Sequence, residues 1–282
     1  MPVTYTPIRY PGGKSKIYPM MDAILTSNGM VGCTYAEAFC GGAGLAMRLL
    51  AKGRVERVIL NDIDPAVYSM WKAIVHEPEE MCQFVENTEL SIDEWRAQRE
   101  VFEGSKSPSL ELGKAAFYLN RTNRSGILRG GPIGGTAQNG RYGIGARFNR
   151  DGLVSKIRAV AAASSRIELY NLDACEFIDS VLNGNRNTFA YFDPPYIEKG
   201  PELYENSFDK VQHRKLAGKI ASCTPMWMVT YDQHQLVDDV YSEFNRFDLP
   251  IGYSAQTHKR VFETLIMGPG VIEPTGLLPR MK

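Results

Sequence analysis

A chain of 282 residues, 44% hydrophobic and 23% charged, holds enough apolar material for one large α/β domain with an insertion, or two small domains, around an ordinary packed core. No apolar run nears the ~18 residues that cross a bilayer, and the opening MPVTYTPIRYPGGKSK lacks the apolar stretch of a signal peptide, so a soluble, cytoplasmic protein with no membrane partner is expected. Net charge is zero, Lys+Arg 32 against Asp+Glu 32, and the whole-chain balance gives no sign of a polyanionic partner.

Short apolar runs ended by polar, Gly or Pro residues predict strands at Thr34–Ala38, Arg57–Leu60, Ile167–Tyr170, Phe189–Phe192, Trp227–Thr230, Phe247–Pro250 and Phe262–Met267. Helical stretches follow several of them, at Gly44–Ala51, Ala66–Val75 and His213–Ala221. That alternation predicts an open, mostly parallel α/β sheet. The rhythm breaks after Glu77: Glu79–Phe102 reads as amphipathic helix, Leu112–Asn120 as another, and Arg121–Arg150 as a Gly-, Arg- and Asn-rich stretch of little periodicity. Residues 76–165 therefore read as an inserted module, and 1–75 with 166–282 as the body that carries it. Val271–Lys282 reads as a loose tail. Cys33, Cys40, Cys82, Cys175 and Cys223 are odd in number, scattered and free of any CxxC pair, so they are expected to be small buried residues, with no disulfide framework and no metal site.

Three motifs sit where strands end. Ala36-Glu37-Ala38-Phe39-Cys40-Gly41-Gly42-Ala43-Gly44 follows a strand and opens a helix, where glycines let backbone approach a ligand and free helix N–H groups face it. It is not GxGxxG, and by itself it is equally a plain strand-to-helix turn. About 20 residues on, Asn61-Asp62-Ile63-Asp64 ends the next strand, a place from which an acid accepts hydrogen bonds from both ribose hydroxyls. Asp62 is at the strand end, whereas Asp64 precedes Pro65 and suits a helix cap. Asp193-Pro194-Pro195-Tyr196 follows a third strand. Its prolines fix the backbone and remove two N–H donors, so Asp193 and the Pro194 carbonyl are free to accept from the amino group of a base, with Tyr196 as a stacking face worth about 1–3 kcal/mol. The plainer reading is a rigid turn with Tyr196 in the core. Gly13-Lys14-Ser15 is not a phosphate loop, because Ile8 stands where that spacing requires glycine. Charge is also uneven. Between Gly113 and Arg150 stand Lys114, Arg121, Arg124, Arg129, Arg141, Arg147 and Arg150 with no acid, a local block of seven positive charges in a neutral chain.

In this order the segments resemble the Dam-type family of DNA adenine-N6 methyltransferases: PGGK first, then FCGGAG, NDID, an insertion and DPPY. Leu203-Tyr204, Phe208 to His213, Leu216, Trp227 to Asp232, Tyr253 to Gln256 and Lys259-Arg260 extend the likeness over nearly the whole chain. The resemblance implies a Rossmann-like seven-stranded sheet with the last strand antiparallel, an inserted, mostly helical target-recognition domain, and S-adenosylmethionine across the strand ends. By position it implies cofactor contacts from Tyr10, Lys14, Phe39, Gly41, Gly44, Asp62, Asp173 and Asp193, and catalysis by Asp193, Pro194, Pro195 and Tyr196. Asn120-Arg121-Thr122 and Gly126-Ile127-Leu128-Arg129 resemble the start of the family's DNA-reading hairpin. Members that read GATC carry an aromatic residue in place of Arg124 and Asn in place of Ser125, and Gly130–Gly145 also differs, so the target sequence does not carry over. Double-stranded DNA is the expected partner of Arg121, Arg124, Arg129, Arg141 and Arg147. Arg129 holds a guanine-reading position, and a phosphate contact that reads nothing is the plainer role for each of the five.

The expected chemistry is extrusion of the adenine, stabilisation of its amino group by Asp193 and the Pro194 carbonyl, and direct in-line transfer without metal or covalent intermediate. No cysteine follows a proline, which excludes a Pro-Cys cytosine-C5 enzyme. Cytosine N4, RNA adenine or protein glutamine as acceptor, and a non-catalytic DNA-binding relative, are the alternatives. A monomer or weak dimer is expected, and a restriction endonuclease partner is left open.

Overall fold

The computed structural model describes residues 4–10, 13–197, 208–253 and 260–274. Of the segments behind the resemblance, 11–12, 203–204 and 254–259 lie outside them. Seven strands form one sheet: β1 Thr34–Glu37, β2 Arg57–Asn61, β3 Ile167–Tyr170, β4 Thr188–Phe192, β5 Met226–Asp232, β6 Asn245–Tyr253 and β7 Arg260–Met267. Their order is β3-β2-β1-β4-β5-β7-β6. The first five pair in parallel, and β7 runs antiparallel to both β5 and β6. Each strand lies where an apolar run predicted it.

Strand alternation divides the core between the two faces of the sheet. Tyr35, Val58, Leu60, Phe189 and Tyr191 point to one face, and Ala36, Ile59, Ala190 and Phe192 to the other. The first face is covered by α1 (Tyr18–Ser27), α2 (Gly44–Ala51) and α3 (Pro65–His76). The second packs against α8 (Ala174–Phe177), α9 (Lys210–Ala221) and α10 (Gln235–Val240), with α8 running into a wide turn at Ile178–Leu182. Small alanines on the second face let these helices lie close to the strands.

Between α3 and β3 the chain adds α4 (Pro78–Asn87), α5 (Ile92–Gly104), α6 (Leu110–Thr122) and α7 (Arg150–Ala161). The expected helix over Glu79–Phe102 is in fact two. Ser91 caps α5 by accepting from the Glu94 N–H at 3.1 Å. Arg150 closes α4, donating to the carbonyls of Val85, of Glu86 at 3.0 Å and of Thr88 at 2.7 Å. Side chains of α6 and α7 such as Phe117 and Ile157 join the same apolar cluster as α3. The approach of α6 to α3 is close enough that a Cβ on Gly113 would meet the Ser69 carbonyl oxygen at 2.6 Å. The tail is tied where it is described: Ile272 donates to the Asn28 side chain at 2.7 Å and accepts from it at 2.9 Å. All five cysteines are free thiols, but Cys175 and Cys223 are half-buried, not buried as expected. Among the described residues no helix is long and apolar enough to cross a membrane.

Candidate active site

Strand order reverses between β1 and β4, which leave a crevice at their carboxyl ends, the usual ligand position in an open α/β sheet. A cavity of about 930 Å³ opens there. The strand ends contribute Glu37, Phe39, Gly44, Asp62, Ile63 and Asp193 to its lining, and the N-terminal segment and the stretch between α3 and β3 contribute Arg9, Arg121, Arg129, Arg147 and Lys156.

The glycine turn after β1 is shaped by what lies on it. Gly41 has φ +44°, and a Cβ there would strike the Tyr10 ring at 2.7 Å, so only glycine suits. Trp71 of α3 pins the turn by donating its indole N–H to the Gly41 carbonyl at 2.7 Å. The Gly41 N–H donates to Asp62 Oδ2 at 2.9 Å, and the Asp64 N–H to Asp62 Oδ1 at 3.0 Å. Burial, reinforced by Asp64, pushes the Asp62 carboxyl up to about 7 against the pull of those two donors. Asp64 caps α3 through the Ala66 N–H at 2.8 Å, as its sequence position predicts.

Lys14 sits on the turn before α1 and is buried. Its ammonium stands 2.9 Å from Asp193 Oδ1, 3.3 Å from the Tyr196 hydroxyl and 3.2 Å from Glu263 Oε1. Although burial opposes its charge, Asp193, Tyr191 and Glu263 together hold the lysine pKa well above the usual value. Thr230 of β5 donates to Asp193 Oδ1 at 2.8 Å, and its hydroxyl pairs with Tyr191 at 2.7 Å. Tyr196 turns its hydroxyl onto Glu263, and the Ile197 N–H reaches Asp232 at 3.0 Å. The tetrapeptide at the end of β4 is therefore gripped by two neighbouring strands.

Not all expected site residues converge. Tyr10, Lys14, Phe39, Gly44, Asp62, Asp193 and Pro195 line the cavity, Gly41 lies beneath Tyr10, and Pro194 and Tyr196 stand beside these without lining it. Asp173 does not line it: the side chain is the cap of α8, accepting from the Cys175 N–H at 2.9 Å. Arg124 and Arg141 are exposed and away from it, Arg141 lying over the Tyr142 ring. Arg121 is committed inward, donating to the Pro7 carbonyl at 3.3 Å and to the Arg147 carbonyl at 2.9 Å. Burial, with Arg9 and Arg147 nearby, pushes its guanidinium down to about 10. Sequence reasoning missed Glu37, whose Oε1 accepts from Tyr35 and from the Ala46 N–H, both at 3.2 Å, and whose carboxyl burial pushes up to about 8. It also missed Thr230 and Glu263. The available signal was an acid or hydroxyl interrupting an apolar strand.

The N-terminal segment meets the inserted helices through Asn120, which is buried at the end of α6. Its side chain accepts from the Arg9 N–H at 2.9 Å and donates to the carbonyls of Arg9 at 2.6 Å and Gly126 at 3.0 Å. An antiparallel bridge between Asn123 and Pro132 closes the loop that begins there. From α5, Trp95 supports Asn123 at 2.7 Å, and Arg99 reaches the Gly130 carbonyl at 3.2 Å.

A seven-stranded sheet of this order with one internal antiparallel strand, and Asp-Pro-Pro-Tyr at its switch point, defines a methyltransferase of the α/β class. The chain belongs to the family of D12 class N6 adenine-specific DNA methyltransferases, whose sequence model matches residues 10–250. It is a DNA methyltransferase that acts on the N6 amino group of adenine. Among solved structures it resembles the methyltransferase domain of bacterial CtHen1, at 10% identity and a TM-score of 0.41, over 90% of this chain and 100% of that one. It also resembles a precorrin 8W decarboxylase of Methanobacterium thermoautotrophicum, at 13% identity and a TM-score of 0.37, over 92% and 91%. These superpositions are loose, and membership rests on the sequence match.

Replacing Asn120 by alanine removes three hydrogen bonds, one of them fully buried, and leaves the Arg9 N–H and two carbonyls without that partner. Urea unfolding should then show a loss of about 1–3 kcal/mol, and an unchanged midpoint and slope would mean the clamp contributes nothing.

Proposed function

We propose that the chain transfers a methyl group from S-adenosylmethionine to an adenine extruded from double-stranded DNA at a specific sequence, with Asp193 to Tyr196 as the catalytic tetrapeptide. In this reading residues 76–165 recognise the target, and 1–75 with 166–282 carry the chemistry. One observation carries it: Lys14 and Thr230 both donate to Oδ1 of Asp193. Oδ2 is left as the acceptor for the substrate's amino group. Held this way, the carboxylate favours the tetrahedral form of the amine, whose lone pair is otherwise shared with the ring, and the Pro194 carbonyl takes the second hydrogen.

The cofactor suits the residues present. Each Asp62 oxygen already accepts one N–H, and a carboxylate has about four acceptor sites, so two remain for ribose hydroxyls. The Glu37 carboxyl lines the same cavity, where a cationic ligand group would draw it toward its ionised form. When bound, the cofactor supplies an electrophilic sulfonium methyl. The chain's own part is to orient the amine, hold acceptors around it and exclude water. Acids from the strand ends and cations from the N-terminal segment and the stretch after α3 line the same cavity, which suits a cationic cofactor beside a polyanion.

Three expected outcomes test these roles. Asp193→Ala should abolish transfer while the protein stays folded and binds cofactor, because Lys14 keeps Glu263 as a counterion. Transfer at the wild-type rate would refute the acceptor role, and N4-methylcytosine as product would refute the substrate.

The raised Asp62 pKa fixes a sign for cofactor binding. Below about pH 7 this carboxyl carries a proton, and hydroxyl donors prefer the ionised form, so binding must release it. Affinity should rise with pH through 7 and level above it, by up to about tenfold per unit on the acid side. Calorimetry should find that slope in the wild type and a shallower one in Asp62→Asn, where only Glu37 still titrates in this range, and equal wild-type affinities at pH 6 and pH 8 would disprove it.

Arg129 lines the cavity beside the closed loop, its guanidinium over the Phe102 ring. Once modified-base sequencing of DNA from expressing cells gives the target, Arg129→Ala should lose about 1–3 kcal/mol on the cognate duplex and little on random DNA. Equal losses on both, with a shallower salt dependence, would make it a phosphate contact instead.

A further inference from the structure

The tetrapeptide is held by an acid that neither its sequence motif nor its chain position suggests. Glu263 lies on β7, directly opposite Asp232 of β5 in the antiparallel register. It is 2% exposed. Its Oε1 receives the Lys14 ammonium and the Tyr196 hydroxyl, and its Oε2 is buried with no hydrogen-bond partner among the described residues. Burying a carboxylate with one oxygen unsatisfied costs stability, and neutrality does not require it, because Asp193 already balances Lys14. The cluster therefore holds two carboxylates around one ammonium. The second carboxylate has two consequences for the reaction. It competes with Asp193 for the lysine's positive charge, which leaves Asp193 a stronger acceptor toward the substrate. It also anchors the far end of the Tyr196 ring, which fixes the plane on which a base stacks. Asp232 holds the backbone of the same turn at Ile197, so two opposed strand residues grip the tetrapeptide from its side chain and from its main chain.

We propose that Glu263 is a positioning residue for methyl transfer, setting the geometry and charge of Asp193 through Lys14 and the orientation of Tyr196 through its hydroxyl. The inference rests on the reading of Asp193 to Tyr196 as the catalytic tetrapeptide. A residue that acts this way governs the transfer step inside the assembled complex, whereas a merely structural residue alters folding or affinity.

The test is single-turnover transfer from S-adenosylmethionine to unmethylated genomic DNA, with cofactor and DNA affinities measured alongside. Glu263→Gln should slow the step by about tenfold or more with both affinities within about twofold of wild type. Tyr196→Phe removes the hydrogen bond to Glu263 from its other end, leaves position 263 unchanged, and should show the same split between rate and affinity. The double variant should lose less than the product of the two single losses, because the Tyr196 hydroxyl is one of the two routes through which Glu263 acts. A wild-type rate in Glu263→Gln would overturn the inference, and a wild-type rate in Tyr196→Phe, or losses that multiply in the double, would overturn the route through Tyr196. Asp193→Ala in the same assay separates the two readings: if it is active, the tetrapeptide reading itself fails, and if it is inactive while Glu263→Gln is normal, only the role of Glu263 fails.

Discussion

A buried ammonium cannot stand without counterions, and the arrangement of the catalytic end of this protein follows from how Lys14 obtains them. Leaving a charge of this kind uncompensated costs about 3–5 kcal/mol. Lys14 comes from the start of the chain, Asp193 from the end of β4 and Glu263 from β7, so residues 249 apart in sequence are joined at one nitrogen. Only the reversed direction of β7 makes this possible. Running antiparallel to β5, it brings its first residues to the edge of the sheet where the parallel strands bring their last. The antiparallel strand thus supplies the site with an acid that an all-parallel sheet would have placed at the opposite edge.

The same N-terminal segment serves a second joint. Arg9 is clamped by Asn120 of α6, and the next residue, Tyr10, covers the glycine turn after β1. Gly41 in that turn bonds Asp62, and Trp71 of α3 pins it. A continuous path of packed and hydrogen-bonded groups thus runs from the loop closed by Asn123 and Pro132 to the acid at the end of β2. Gly126 belongs to the path as well: with φ +78°, a Cβ there would meet Arg9 at 2.9 Å, so the loop can lie against the N-terminal segment only with glycine in that position.

The strands were legible because each is a short apolar run cut off by Gly, Pro or an acid, and because strands buried on both faces carry no alternation that could mislead. Asp62, Asp64, Gly41 and the tetrapeptide were legible because they sit at strand ends, where polar residues have no packing reason to be. Glu263 and Thr230 were not, since each lies inside a strand. Their signal was positional: Glu263 shares a face with Leu265 and Met267, which are core residues, so an acid there had to be paired with something buried. Asp173 illustrates the opposite error. It also follows a strand, but its carboxylate satisfies a helix N–H, a local demand that spacing does not distinguish from ligand binding. The break between α4 and α5 was hidden for a related reason, since it depends on Arg150, more than 60 residues away.

The block of seven positive charges looks uniform in sequence and is not uniform in space. Lys114 pairs with Glu80, and Arg121 and Arg150 give their guanidinium groups to main-chain carbonyls. These three charges support the inserted helices and the segment that meets them. Arg124, Arg129, Arg141 and Arg147 are exposed, and of these only Arg129 and Arg147 line the cavity shared with Asp62 and Asp193. An interior arginine also differs from an exposed one in what DNA can gain from it, because a guanidinium already bonded to carbonyls must give up those bonds before it meets a phosphate. The positive charge at the surface is therefore smaller than the sequence count, and of the exposed arginines only Arg129 and Arg147 bring it to the cavity that holds Asp62 and Asp193.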